Sequence, residues 1–285
     1  MIIVNISGGL GNQMFQYALG KSLSIVNEVP LKLDISFFEN QSLREFELDK
    51  FSTVFEIATS EEIRKLKGSD SFFTRAMLKL GFEHIIRPNS FYREKEPTIF
   101  DESLFLKSID SIYLLGYWQN EDYFKSIRDN ILSDFTYRST DLTARYAQIE
   151  SYTESVSLHV RRGDYVTVAN ATHGLCDISY YLRAIKHFEL KYQKCHFFVF
   201  SDDILWCKEA FKAHDNITFV DDTRSSHDDL YLMSKCKHQI IANSSFSWWG
   251  AWLNQNKGKH IVAPKKWINN NPNDYNWVPT NWTKM

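Results

Sequence analysis

Apolar positions fall into two kinds of run along the chain. Short continuous runs bounded by turn residues alternate with longer stretches in which apolar residues recur every three or four positions; the first spacing suits a buried strand, the second an amphipathic helix. Residues 2–6 (Ile2-Ile3-Val4-Asn5-Ile6) read as a strand that runs into the turn Ser7-Gly8-Gly9-Leu10-Gly11. A helix then begins near Asn12, with a stripe of Met14, Phe15, Ala18, Leu19, Leu23 and Val26. Residues 30–34 form a second strand, 60–67 and 71–80 have helical spacing with Pro88 and Pro97 as breakers, and 112–115 is a strand leading into Gly116-Tyr117-Trp118-Gln119 and a helix from about 121. The second half is more regular. Strands at 156–160, 197–200, 217–220, 239–242 and 261–263 alternate with helices at 179–192, 203–213, 227–235 and from about 245. Such alternation predicts parallel sheets covered by helices on both faces. No strand is evident over 135–150, so the chain is expected to divide into two α/β domains, 1–145 and 146–285.

Composition narrows the picture. With 285 residues, 44% hydrophobic and 24% charged, the chain can bury a substantial core and lacks the signature of disorder. Thirty-three basic against thirty-five acidic residues argue against a nucleic-acid binder while leaving room for a local basic site. No run approaches the roughly 18–20 apolar residues that cross a bilayer. The N-terminus has neither a basic segment, a long apolar segment nor a cleavage site, so a cytoplasmic protein is expected. Cys176, Cys195, Cys207 and Cys236, spaced by 19, 12 and 29, fit no zinc pattern and suit reduced thiols. Aromatics make up 15%, enough for a Phe-rich core with some Tyr and Trp left to line a sugar or base site.

Four stretches carry candidate chemistry. Gly8-Gly9-Leu10-Gly11-Asn12-Gln13 is a strand-to-helix turn in which glycines let the backbone approach a ligand and helix N–H groups favour an anion. It lacks the Gly-Lys-Ser/Thr ending of a P-loop, and Met14 stands where a dinucleotide fingerprint needs its third glycine. His159-Val160-Arg161-Arg162-Gly163-Asp164 leaves the end of a strand, where two arginines are costly unless they meet an anion or a carboxylate. Asp164 could fix the direction of one of them. In Phe200-Ser201-Asp202-Asp203 one aspartate suits a helix cap, and the other could accept from the N1–H and N2–H edge of guanine. Ala242-Asn243-Ser244-Ser245-Phe246-Ser247-Trp248-Trp249 again puts hydroxyls at a strand-to-helix turn, with the tryptophans read as core.

In their order and spacing these stretches, with Gly116-Tyr117-Trp118-Gln119, resemble the α-1,2-fucosyltransferases of glycosyltransferase family 11, bacterial type. The resemblance spans nearly the whole chain. It implies a GT-B architecture, with two Rossmann-like halves facing across a cleft, the C-terminal one for GDP-fucose and the N-terminal one for the acceptor. It implies inverting transfer of L-fucose to the 2-OH of a galactose-terminated glycan in O-antigen or lipopolysaccharide synthesis, without a metal or other cofactor, and compatible with peripheral contact at the inner membrane through a lipid-linked acceptor. By the same resemblance Arg161 holds the β-phosphate. His159 and Asp202 read the base, and Ser244 and Ser245 bind phosphate. Gly9, Gly11, Asn12 and Gln13 border the donor site, with Arg162, Asp203 and Asn243 beside it. Arg161 and Asp164 are expected in catalysis, and Asp34, by position only, as general base. Two other classes stay open on the residues alone: a non-catalytic nucleotide-sugar or glycan-binding protein, and a dinucleotide-dependent oxidoreductase.

Overall fold

A computed structural model describes residues 1–106, 108–137, 142–163, 174–267 and 277–285. The chain separates into two units, Met1–Thr136 and Tyr137–Met285.

The N-terminal unit runs β1 (Ile2–Asn5), α1 (Leu10–Asn27), β2 (Leu31–Asp34), β3 (Glu56–Ile57), α2 (Ser60–Lys67), α3 (Phe72–Lys79), α4 (Glu83–Ile86), β4 (Phe91–Arg93), β5 (Ile112–Leu115) and α5 (Arg128–Asp134). Its five strands are all parallel, in the order β3-β2-β1-β5-β4. The central strands β1 and β5 are continuous apolar runs because both faces of a parallel sheet are covered. The edge strands β3 and β4, two and three residues long, carry no such run, and no strand was predicted there. The helix expected from about 121 is instead two 3-10 turns, Glu121–Tyr123 and Lys125–Ile127, ahead of α5. Asn120 fixes the first of these turns by accepting the Asp122 N–H.

The C-terminal unit runs α6 (Thr143–Glu150), β6 (Glu154–Val160), α7 (Ile178–Lys191), β7 (Cys195–Ser201), α8 (Ile204–Ala210), β8 (Ile217–Phe219), α9 (Ser226–Lys235), β9 (His238–Ile240), α10 (Ser245–Trp252), β10 (Ile261–Ala263) and β11 (Thr283–Lys284). The six strands are parallel in the order β8-β7-β6-β9-β10-β11. Counted within the unit this is 3-2-1-4-5-6, the doubly wound order of dinucleotide-binding folds. Alternate residues of β7 serve opposite faces. Phe197 and Val199 pack with Tyr181, Ala184, Ile185 and Phe188 of α7, whereas Phe198 and Phe200 pack with Leu142 and Ile149 on one side and Leu232 and Met233 of α9 on the other. That second core places α6 in the C-terminal unit. The division between units therefore falls at 136/137 rather than at 145/146. Trp248, Trp249 and Trp252 of α10 are core residues, as the sequence suggested for the first two.

Candidate active site

In a doubly wound sheet, ligands gather outside the carboxyl ends of the strands, where the chain departs in opposite directions from two neighbouring strands. In the C-terminal unit that point lies between β6 and β9. Arg161-Arg162-Gly163 follows β6, Asn243-Ser244-Ser245 follows β9, and Asp202-Asp203 follows the neighbouring β7. Three of the sequence motifs thus share one edge of one sheet.

Each arginine has its own aspartate. Arg161 Nη1 lies 2.7 Å from Asp202 Oδ2, and the Arg162 backbone N–H donates to Asp202 Oδ1 at 2.8 Å. Arg162 Nε donates to Asp203 Oδ2 at 3.2 Å, and its guanidinium sits 4.0 Å over the Trp206 ring. Asp203 also caps α8 by accepting the Trp206 N–H at 3.2 Å. Gly163 is required by this lattice: a Cβ there would stand 2.6 Å from Asp202 Oδ2. His159 is buried, its ring against Phe246, and its Nδ1 has no hydrogen-bond partner among the described residues. Desolvation, and then the Arg161 charge, push its pKa down to about 4, so the imidazole is neutral.

Asn243 is fastened by its amide to the carbonyls of Gly174 (3.2 Å) and Trp267 (3.0 Å), and it accepts the Cys176 thiol at 3.3 Å. Burial pushes that thiol up to about 11, so Cys176 is a packing residue rather than a nucleophile. Ser244 is the N-cap of α10 yet its hydroxyl makes no cap bond. The start of that helix lies at the carboxyl end of β9, a favourable place for an anion. A cavity of about 680 Å³ opens beside Asn243, with Asp177, Arg183, Lys265 and Lys266 on its walls. The two lysines stand outside every motif. Asp164 lies outside the described residues.

The sequence reading passed over Asp229, in the first turn of α9 at this same sheet edge. It is half-buried, and among the described residues its Oδ1 is shut from solvent without a hydrogen-bond partner. Burial, reinforced by Asp228 and Asp222, pushes its pKa up to about 6. A buried carboxylate oxygen held without a partner is the mark of a group that awaits a donor. In the sequence the residue is hidden inside an ordinary acidic helix start, Ser225-Ser226-His227-Asp228-Asp229, where acids serve the macrodipole. Asp202, by contrast, has both oxygens engaged by the arginine segment. It holds Arg161.

The N-terminal unit has the corresponding switch point between β1 and β5. Gly8 takes a left-handed φ of +79°, and Gly9 caps α1, which starts at Leu10 rather than near Asn12. Asn12 Oδ1 accepts from Gln119 at 2.6 Å, and Gln16 Nε2 donates to the Gly116 carbonyl at 3.0 Å. The glycine turn and the Gly116–Gln119 stretch are therefore one structure. Gln13 is buried and ties the Gly8 carbonyl (3.0 Å) to the Glu45 carbonyl (2.8 Å), a structural task. The Gly9 backbone belongs to this turn, and Gly11 lies in the first turn of α1. Glu94, also absent from the motifs, accepts the N–H groups of Tyr117 (2.7 Å) and Trp118 (2.9 Å) and has its pKa raised, chiefly by burial. Asp34 is 1% exposed. Its carboxylate accepts from Tyr113 Oη at 2.6 Å, from the Ser36 N–H at 3.0 Å and from Asn5 at 3.5 Å. It braces the end of the sheet, its carboxylate engaged by these three donors.

Two Rossmann-like units with an arginine–carboxylate lattice at a strand edge define a glycosyltransferase of GT-B-like plan. The chain belongs to glycosyl transferase family 11, whose model matches residues 1–284. It is similar to the alpha-1,2-colitosyltransferase of Escherichia coli, 35% identical over 299 residues covering 100% of this chain and 99% of that protein. It is also similar to the O-antigen biosynthesis glycosyltransferase WbnK of Escherichia coli, 33% identical over 285 residues covering 93% and 94%. Among solved structures, POFUT1 in complex with GDP matches at a TM-score of 0.52 and 14% identity, over 91% of this chain and 97% of that one. At that identity the likeness bears on the fold.

Proposed function

We propose that the protein transfers L-fucose from GDP-β-L-fucose to the 2-OH of a terminal galactoside with inversion, in O-antigen synthesis. The observation that carries this reading is the pair of arginine–aspartate bridges set beside the Ser244-Ser245 helix start at the β6/β9 switch point. In the step itself the acceptor oxygen attacks the anomeric carbon, the bond from that carbon to the diphosphate oxygen breaks, and the departing diphosphate gains charge. Arg161, oriented by Asp202, meets that charge, with the Ser244 hydroxyl and the α10 amides as further donors. The acceptor proton passes to solvent or to a buffer base. A loose, oxocarbenium-like transition state asks little of the nucleophile, so no strong base is needed. Guanine is read by Asp229, whose Oδ1, without a partner among the described residues, can take an N–H of the base edge. The C-terminal unit serves the donor and the N-terminal unit the acceptor.

A second reading has its own support: a relative covering the whole chain at 35% identity is described as a colitosyltransferase. Colitose differs from L-fucose by one absent hydroxyl, at C3, so the two donors present the same diphosphate and base. Incubating the protein with GDP-fucose or GDP-colitose and a panel of β-galactosides, with linkage determined by NMR, separates the readings. Because the arginines take the part a divalent ion would play between phosphates, turnover is expected to survive EDTA. The fucose reading fails if only GDP-colitose is consumed, the metal-free mechanism if chelator stops turnover and Mg²⁺ or Mn²⁺ restores it, and the enzyme reading if GDP binds with no transfer to any acceptor.

A further inference from the structure

Large apolar side chains left in water cluster in one segment of the N-terminal unit. On α3 and its C-terminal residue, Phe72 (90% exposed), Ala76 and Leu80 (69%) stand at four-residue spacing and form one stripe; after the Gly81 turn come Phe82 (39%) and Ile85 (64%) on α4. Single exposed apolar residues are ordinary, but four large ones within fourteen positions are a patch that demands a covering partner. The charge around the patch says which partner. From Ser60, where α2 begins, to Arg87 there are six basic residues (Arg64, Lys65, Lys67, Arg75, Lys79, Arg87) against four acidic (Glu61, Glu62, Asp70, Glu83), a net of +2 in a chain whose total is −2. Lys67 and Arg87 are engaged with Asp70, and Glu83 with Arg93. Arg64 and Lys65, in the last turns of α2, and Lys79 on α3 are exposed. The eight-residue helix α3 is far too short to span a bilayer, and no described helix is long and apolar enough to do so. A short helix with an exposed apolar stripe and lysines beside it has the make-up of one that lies in the headgroup region, apolar side down, with its cations among anionic lipid phosphates.

We propose that the α3–α4 face is a docking surface for an anionic bilayer. The argument is independent of which sugar is transferred. An apolar protein partner would be served by the stripe alone; the charge excess beside it matches a negatively charged lipid surface instead.

Flotation of the full-length protein with unilamellar vesicles tests this. Vesicles of phosphatidylcholine with phosphatidylglycerol should carry the protein, vesicles of phosphatidylcholine alone should carry far less, and added salt should weaken the binding. The triple variant Phe72→Ser, Leu80→Ser, Ile85→Ser should lower partition at least about tenfold by removing the buried apolar area. The separate pair Lys65→Glu, Lys79→Glu should lower it by about tenfold or more through charge alone. Both variants alter exposed residues outside the candidate active site, so turnover on a soluble acceptor should match wild type, which verifies folding independently of binding. Equal flotation with neutral vesicles, no flotation, or flotation untouched by either variant overturns the proposal. So does a wild-type dimer that the serine variant converts to monomer, since the face would then belong to a second copy.

Discussion

A guanidinium that is to meet a diphosphate has to be aimed before the ligand arrives. Asp202 aims Arg161 in this protein, at 2.7 Å. Replacing Arg161 by Ala is expected to cost about 3–4 kcal/mol of transition-state stabilisation, a rate loss of roughly 10²–10³. Arg161→Lys should recover little, because a point charge lacks the two-pronged fork. Turnover of a folded Ala variant close to wild type would remove Arg161 from the reaction. The two aspartates separate by nucleotide. Asp229→Asn should weaken GDP and shrink its advantage over ADP, since charge-assisted bonds to the base edge are worth about 1.5–3 kcal/mol each. Asp202→Asn should weaken both nucleotides alike by loosening Arg161. Titration calorimetry of GDP and ADP against both variants decides, and an intact GDP preference in Asp229→Asn would return the role to Asp202. A pH signature follows from the same residue. The free carboxyl has a pKa of about 6, and a base edge donating to it favours the ionised form. Binding below that pH must then expel a proton, so GDP affinity should fall as pH drops through about 6, and the Asn variant should lose that slope.

At the scale of elements, the site depends on how closely two strand ends approach. The turn after β6 and the turn after β7 interlock through Gly163, whose missing side chain leaves room for the Asp202 carboxylate. Gly163→Ala would drive a Cβ into that oxygen and turn Asp202 off Arg161. The expected result is a fall in kcat of roughly 10–100-fold, the usual cost of misplacing a catalytic group, with the melting temperature nearly unchanged. Gly258→Ala is a useful contrast. Its φ of +80° brings backbone strain, but nothing lies within 4 Å, so it should cost about 1 kcal/mol of stability and no activity. If the two variants behaved alike, crowding at Asp202 would not be what Gly163 avoids.

Across the whole molecule, five histidines with lowered pKa, chiefly through burial, lie in the C-terminal unit. His159 and His260 are both pushed down to about 4, chiefly by burial, and His187, His196 and His238 shift in the same direction. Unfolding returns each to an ordinary pKa near 6.5, so between about pH 6.5 and 4 the unfolded chain binds more protons and stability falls with pH. Buried His159 alone contributes about 2–3 kcal/mol to that loss, and half-exposed His260 less after solvent screening. Carboxylates such as Glu62, held down to about 2 by Lys32 and the Thr59 N–H, add their own loss from about pH 5 downward, so the histidine effect is read most cleanly above pH 5. Asp229, raised to about 6, acts in the opposite sense over the same range, so the test is made in the Asp229→Asn protein, whose urea midpoints at pH 7.5, 5.5 and 4.5 should drop, led by the C-terminal unit. A flat profile over that range would mean that the histidines are not as desolvated as their surroundings indicate.

Local pattern was enough for much of this. Buried parallel strands are continuous apolar runs, so β1, β5, β6 and β7 and the helices between the C-terminal strands could be read from spacing alone, and strand-end motifs pointed to the sheet edge where ligands collect. Trp248 and Trp249 of α10 could also be assigned to the core. The short edge strands β3, β4 and β11 could not, because two or three half-exposed residues carry no period. Nor could the assignment of carboxylates. Asp34, Asp202 and Asp229 look alike in a sequence, each an acid at a strand end or helix start. Only the folded chain decides that Tyr113 and Ser36 close around the first, that Arg161 and the Arg162 N–H take both oxygens of the second, and that the third keeps one oxygen without a partner among the described residues. Those differences rest on desolvation and on contacts between residues tens of positions apart, which no local pattern encodes.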